Sequence, residues 1–344
     1  MDKLDARLFK IVDTSNLIIN GFGYFLGKES NRLVIKDHSK KLFEYSMDLL
    51  NHIYITSNCT LSTSFINSAC RKGIKICIWS RGKPNVLVSS PQLAAFVEAK
   101  RSQFSAYNNH VGVEAIKKVI SSKIINQQNV IKYFSKNSSD NTLMKFSKQS
   151  LNNMNKLLEN LYTINGNNLN DVRSSILNIE ALCAKEYWGV IRKLAPPGLN
   201  FKGRDYNSND VLNVSLNFMY SLLYSNIWMA ILNSGLEPFA GFLHTDRPGK
   251  ASLVYDLSEP FKQRLVDKII IGMLRKKQKL SIKKGKLSDK TIKILSEKFA
   301  EELLKRENYN GKNLTLNSII QSNIYSFVSE LKSTGEYIFY RFKW

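Results

Sequence analysis

Residues 74–92 read IKICIWSRGKPNVLVSSPQ. Two short runs in this stretch, Ile74–Trp79 and Val86–Ser89, are rich in β-branched and aromatic residues, the composition of strands. Ser89-Ser90-Pro91 then ends the pattern. Beyond it, glycine, proline and β-branched residues thin out and apolar residues recur at helical spacing. The break divides the 344-residue chain into a small β-rich domain, residues 1–90, and a larger all-α domain, residues 91–344. The fold class this predicts is α+β.

Upstream of the break, Leu17–Asn20, Gly23–Leu26, Arg32–Lys36 and Ile53–Ser57 read as further strands, with one helix near Ser62–Arg71. Gly21-Phe22-Gly23 lacks the third glycine and the following helix of a dinucleotide site, so it reads as a hairpin turn. Downstream, Ala115–Ile131 places Ile116, Val119, Ile120, Ile124 and Ile125 on one helical face. Lys136–Lys156, rich in Asn and Ser, is a connector or a solvated helix, and Asn165–Asp171 is a loop. Further helices are expected at about 172–191, 209–232, 253–272 and 289–306. Val211–Leu232 is the most membrane-like stretch. Its Asn213, Ser215, Asn217, Ser221, Ser225 and Asn226 make it a buried core helix instead, and no membrane association is expected.

Lysine and arginine number 50 against 28 acids, a net charge of +22, and 43% of residues are hydrophobic. That apolar content excludes wholesale disorder, and the charge points to a polyanionic partner, nucleic acid first. Residues 1–90 hold 13 basic residues against 7 acids, so most of the excess lies in the helical domain. Arg275, Lys276, Lys277, Lys279, Lys283, Lys284 and Lys286 form an acid-free run. Such a run is either a solvated loop or a phosphate-tracking surface, and phosphate contacts give affinity and salt dependence without sequence preference. Cys59, Cys70, Cys77 and Cys183 form no C-x-x-C pair, which excludes zinc-ribbon and thioredoxin-type motifs and suggests reduced thiols in a cytosolic protein. The opening MDKLDARLFK has no apolar core and does not read as a signal peptide. No Walker A loop is present.

His38, His52 and His110 read as turn or surface residues. His244 differs, because it ends the segment GLEPFAGFLH and is followed by Asp256 and Glu259 within SLVYDLSEPF. The two acids share a helical face, which suits either helix-start electrostatics or a site. Glu180 stands among apolar residues in SSILNIEALCAKEYW, where a carboxylate must be paired, metal-bound or neutral. One imidazole and two carboxylates form a mixed set suited to Mg²⁺ or Mn²⁺. In a strongly basic domain, that set suggests metal-assisted phosphodiester chemistry.

Several ordered blocks resemble the CRISPR-associated integrase family, the larger of the two proteins common to CRISPR adaptation. They are Glu180, Ala184, Tyr187 and Trp188; Asp210, Asn213, Leu216 and Tyr220; Gly235-Leu236, Pro238 and Gly241–His244; and Ser252–Phe261. The helix Ala115–Gln127 and the aromatic ending Tyr340–Trp344 add to the set. The resemblance implies a dimerising β-rich N-terminal domain and an all-α catalytic domain. It implies that Glu180, His244 and Glu259 are catalytic metal ligands for Mg²⁺ or Mn²⁺. Asp256 would be a supporting acid or serve a second ion. Arg247 and Lys262, which flank the ligands, would meet phosphates, with Lys276, Lys277, Lys283 and Lys284 tracking the DNA backbone. Tyr187 and Asn213 match motif positions near the centre. The implied protein is a homodimer in the prokaryotic cytoplasm that binds a DNA fragment (the spacer) with a small ferredoxin-like partner protein. The fragment's 3′-hydroxyl attacks a phosphodiester at the edge of a CRISPR repeat; with water as nucleophile, the same site nicks branched DNA. Three alternatives are a stand-alone metal-dependent nuclease or resolvase, a mobile-element integrase of the same fold, and a non-enzymatic DNA-binding protein with structural carboxylates.

Overall fold

A computed structural model describes residues 9–13, 16–20, 22–80, 83–90, 96–136, 138, 140–199, 201–283 and 285–343. The chain divides into two compact units, Met1–Ala95 and Phe96–Trp344.

The first unit holds β1 (Phe9–Asp13), β2 (Asn16–Ile19), β3 (Phe25–Glu29), β4 (Arg32–Asp37), β5 (Lys40–Ser46), β6 (His52–Ile55), β7 (Thr60–Leu61), α1 (Thr63–Arg71), β8 (Lys75–Ser80) and β9 (Lys83–Val88). These strands make two sheets, ordered β1-β2-β6-β8-β9 and β5-β4-β3-β7. In the first, β2, β6 and β8 run parallel and the outer strands antiparallel. The alternating residues Leu17, Ile19, Ile53 and Ile55 are buried, as period-two strands over one core require. They share that core with Leu26, Leu33, Ile35, Phe65 and Ala69. The expected hairpin at Gly21-Phe22-Gly23 is not formed. The strands flanking it lie in different sheets, so the chain crosses over there; Gly23 has φ 76° and Gly21 lies outside the described residues. The strand β5 escapes sequence reading because KKLFEYS sits at a sheet edge with none of its residues fully buried.

The second unit is built from α2 (Val97–Ala106), α3 (His110–Ser135), α4 (Asn141–Thr163), α5 (Leu169–Leu194), α6 (Val211–Asn233), α7 (Ser252–Lys262), α8 (Lys268–Arg275), α9 (Asp289–Leu304) and α10 (Leu316–Leu331). Side-chain caps start most of them: Asn109 for α3, Asp140 for α4, Asn168 with Asp171 as a capping box for α5, and Asp210 for α6. The Asn-rich stretch is the helix α4, which buries Leu143, Ser147, Ser150, Met154 and Leu161 along one side. Two small hairpins, β10–β11 (Ile282–Lys283 and Lys286–Leu287) and β12–β13 (Arg306–Tyr309 and Lys312–Thr315), interrupt the helices. Helix α6 is buried along most of its length, and among the described residues no helix is long and apolar enough to cross a membrane.

Between α7 and α8 the helix widens into a π turn, Gln263–Asp267. Pro260, just before it, contributes no backbone N–H, and its carbonyl accepts a hydrogen bond from Asn126 Nδ2 on α3 at 2.7 Å. Asn126 also donates to the carbonyl of Tyr340 and accepts from the N–H of Phe342. One buried amide therefore ties α3, α7 and the C-terminal aromatic tail together.

Candidate active site

Helix α3 packs against both α5 and α7, and the polar residues at this contact converge. Lys123 of α3 forms ion pairs with Glu180 of α5 and with Glu259 of α7, the latter at 2.7 Å through Oε2. That Oε2 atom is buried and lacks a well-aligned hydrogen bond. The other oxygen, Oε1, accepts from Lys262 Nζ at 2.7 Å. Burial would raise the pKa of Glu259, but Lys123, Lys262 and His244 outweigh it and bring the carboxyl down to about 2. Burial likewise disfavours the charged forms of Lys123 and Lys262, yet their carboxylate partners hold both ammoniums above the ordinary lysine value.

His244 comes from the segment between α6 and α7. Gly235 ends α6 at φ 75°, and a Cβ there would fall 2.0 Å from Phe96 Cβ. Gly241 is equally constrained: a Cβ would meet Ser252 Cβ at 2.5 Å and the His244 carbonyl oxygen at 2.9 Å. Gln103 of α2 staples the segment by donating to the carbonyls of Glu237 and Ala240 and accepting from the N–H of Glu237. Arg173 of α5 donates to the carbonyl of Phe242. Asp256, fully buried on α7, then gathers the turn. Its oxygens accept from the backbone N–H groups of Phe242, Leu243 and His244 and from His244 Nδ1 at 2.6 Å. With Nδ1 held by a carboxylate, the ring orientation is fixed and Nε2 is the nitrogen left for a metal, the arrangement of a metal-binding histidine. All of the Asp256 acceptor capacity is used inside the protein. Asp256 thereby orients the imidazole. The Glu180 and His244 side chains remain 23% and 29% exposed while those of Glu259 and Asp256 are closed off, so the site opens on the Glu180–His244 side.

A second polar cluster lies further along the same rod. Tyr187 of α5 and Tyr220 of α6 donate to the two oxygens of Asp267, at 2.9 and 2.5 Å. Burial raises the Asp267 carboxyl to about 6, with the two phenols and the more distant Arg204 and Lys262 opposing the shift. Arg204 stacks on Tyr206 and donates to Asn213 and Asn217 of α6.

Sequence reading places Glu180, His244, Asp256 and Glu259 in this one region, and the structure positions each as described. Lys262 is buried against Glu259 and does not lie along an outer surface, because an ammonium this deep needs a carboxylate beside it. Arg247 is exposed on the turn after His244. The basic run is not helical: α8 ends at Arg275, and the run continues as a turn and the β10–β11 hairpin. Lys276, Lys277 and Lys283 are exposed there without an ion pair among the described residues, and Lys284 lies outside those residues. Lys123, Asn126 and Asp267 are the polar residues that sequence reading misses. Lys123 had a signal, a lysine within the buried stripe that includes Val119, Ile120 and Ile124.

The donors suit a divalent cation. Two carboxylates from different helices already meet at one cation, an oxygen of Glu259 lacks an aligned donor, and an oriented imidazole adds nitrogen. Among the described residues no three His, Cys, Asp or Glu side chains close around a common point as they stand. Lys123 holds the carboxylates in this arrangement.

A sequence model described as "CRISPR associated protein Cas1" matches residues 17–305. A curated relative from Francisella tularensis subsp. novicida, "CRISPR-associated endonuclease Cas1 1", is 32% identical, with 96% of this chain and 99% of that protein covered. Among solved structures, a casposase bound to integration product superposes with a TM-score of 0.72 at 22% identity, covering 96% of this chain and 94% of that one. A Cas6-RT-Cas1–Cas2 complex gives 0.73 at 18% identity, covering 99% of this chain and 37% of that one.

Proposed function

The chain belongs to the CRISPR-associated Cas1 family and is a DNA endonuclease and integrase of CRISPR adaptation; from that premise we propose that Glu180, His244 and Glu259 form its catalytic centre. Membership implies dependence on a divalent metal ion, which these three side chains would hold, whether Mg²⁺ or Mn²⁺. A bound ion supplies Lewis-acid polarisation of the phosphodiester and favours ionisation of the attacking oxygen. Asp256 keeps the His244 imidazole turned so that Nε2 faces the site. Lys262, locked on Glu259, contributes positive charge where the phosphate's negative charge grows.

In the joining reaction, the 3′-hydroxyl of a DNA fragment attacks phosphorus at a repeat edge. One P–O bond forms, the bond from that phosphorus to the 3′-oxygen of the cut strand breaks, and the proton lost by the attacking oxygen is balanced by protonation of the leaving oxygen. Water in place of the hydroxyl gives nicking. Arg247, the exposed Lys276, Lys277 and Lys283, and Lys284 hold the DNA backbone. The β-rich N-terminal domain carries dimerisation, a small ferredoxin-like protein completes the complex, and the work is done in the prokaryotic cytoplasm.

The observation that carries this proposal is the convergence of Glu180 and Glu259, from separate helices, on a single cation. The test is a strand-transfer assay with a short DNA fragment, a repeat-bearing plasmid and Mn²⁺. Joining is expected from the wild type and absent from Glu180→Ala and His244→Ala, with DNA affinity retained. Cleavage without joining supports a stand-alone nuclease instead, and near-normal joining by either variant overturns the ligand assignment.

A further inference from the structure

Around Glu259 the charges already balance. Glu180 and Glu259 bring two negative charges, Lys123 and Lys262 two positive ones. A divalent ion held by both carboxylates would leave this buried space with a strong positive excess unless a cation moved away. Lys262 pairs with Glu259 Oε1, and its amine lies over the rings of Tyr220 and Tyr224. Among the described residues Lys123 alone bridges the two carboxylates, so it stands where a shared ion would stand. One turn further along α3, Gln127 Oε1 is a buried acceptor with no hydrogen-bond partner among the described residues. A residue four positions on shares the face of Lys123, which gives a displaced ammonium an acceptor within reach.

We propose that Lys123 is a built-in counter-ion that neutralises the metal-free site and is displaced toward Gln127 when a divalent ion enters, so that it competes with the metal. This rests on the assignment of Glu180 and Glu259 as ligands. It makes Lys123 a positioning residue: it keeps the two carboxylates together before the metal arrives and sets the concentration at which metal binds.

The experiment is Mn²⁺ binding to the full-length protein by isothermal titration calorimetry, with melting curves in EDTA and in Mn²⁺. Lys123→Met is expected to bind Mn²⁺ at least about tenfold more tightly than the wild type, since a unit charge a few ångströms away is removed. Its melting temperature in EDTA falls, and its rise on adding Mn²⁺ exceeds that of the wild type. Lys123→Arg keeps the charge and the wild-type affinity. Lys123→Gln serves as the uncharged variant where Lys123→Met does not fold. Equal or weaker Mn²⁺ binding by the uncharged variants, with binding still lost in Glu259→Gln, overturns the counter-ion proposal and leaves the ligand assignment standing. Mn²⁺ binding that survives in both Glu259→Gln and His244→Ala overturns the ligand assignment, and the counter-ion proposal with it.

Discussion

Glu259 and Asp267 stand on one continuous helical rod, about two turns apart, and both are buried. Their carboxyls are driven in opposite directions, Glu259 down to about 2 and Asp267 up to about 6. Burial alone would raise both. The difference lies in the partners: two ammoniums face Glu259, whereas two phenols donate to Asp267. Permanent charge keeps one acid ionised and ready for a cation. Neutral donors leave the other close to protonation at physiological pH, and it works as a pin joining α5 and α6 to the π turn. Depth of burial therefore does not decide the ionisation of these two carboxyls; the charge of their neighbours does.

The sharpest way to break that distinction is to neutralise each acid in turn. Glu259→Gln is expected to lower cleavage and strand transfer by more than about 100-fold, beyond the range typical of residues that only support a metal ligand. Asp267→Asn keeps a hydrogen-bond acceptor for a phenol and should leave activity of the same order as the wild type. Plasmid nicking and fragment joining measure both. Comparable losses from the two substitutions would mean that the phenol-lined acid also takes part in the chemistry.

The pH dependence of stability probes the same contrast with less severe changes. A raised carboxyl pKa means that the folded state binds its proton more tightly than the unfolded chain. The contribution of Asp267 is thus fully present below about pH 4 and is lost as pH rises through about 6. A displacement of that size corresponds to roughly 3 kcal/mol. Glu259 behaves oppositely: its contribution is present above about pH 4.5 and is lost as pH falls through about 2. Urea denaturation between pH 4 and 7 should show a decline for the wild type that Asp267→Asn flattens. An unchanged slope would put Asp267 in the same class as Glu259.

Asp256 is the intermediate case, a buried acid whose partners are three backbone N–H groups and one imidazole. Asp256→Asn sets an amide N–H₂ against some of these donors and should weaken Mn²⁺ binding by about 10–100-fold, measured by calorimetry. Asp256, like Glu180, His244 and Glu259, stands out in the sequence, because a histidine after a glycine-bounded turn and acids in an apolar window are unusual without a role. Asp267 does not, since along the chain it stands beside Lys268 as an ordinary charged pair and only the folded chain brings Tyr187 and Tyr220 to it. Lys123 is ambiguous along the chain, where a lysine within a helical stripe is indistinguishable from one that snorkels to solvent. The helix–strand division at residue 90 was readable from composition, and the structural units part at Ala95. The edge strand β5 and the β10–β11 and β12–β13 hairpins were not readable, because short, polar, solvent-facing strands leave no apolar alternation.

The smallest expected effect separates inward-facing from outward-facing cations. Lys123 and Lys262 are held by carboxylates, whereas Lys276, Lys277 and Lys283 are exposed without such partners among the described residues. Only cations that release counter-ions from DNA contribute to the salt dependence of binding. Replacing the three exposed lysines by glutamine should reduce the slope of log K against log salt by about 0.9 for each phosphate that is no longer neutralised. Lys123→Met should leave that slope where it was, because its charge is spent on Glu180 and Glu259 before DNA arrives. Fluorescence anisotropy with duplex DNA over a range of NaCl concentrations measures both slopes. If Lys123→Met lowered the slope as the surface substitutions do, its ammonium would reach phosphate, and the line between a cation that builds the site and one that grips DNA would fall between Lys123 and Lys262 instead of between the interior and the surface.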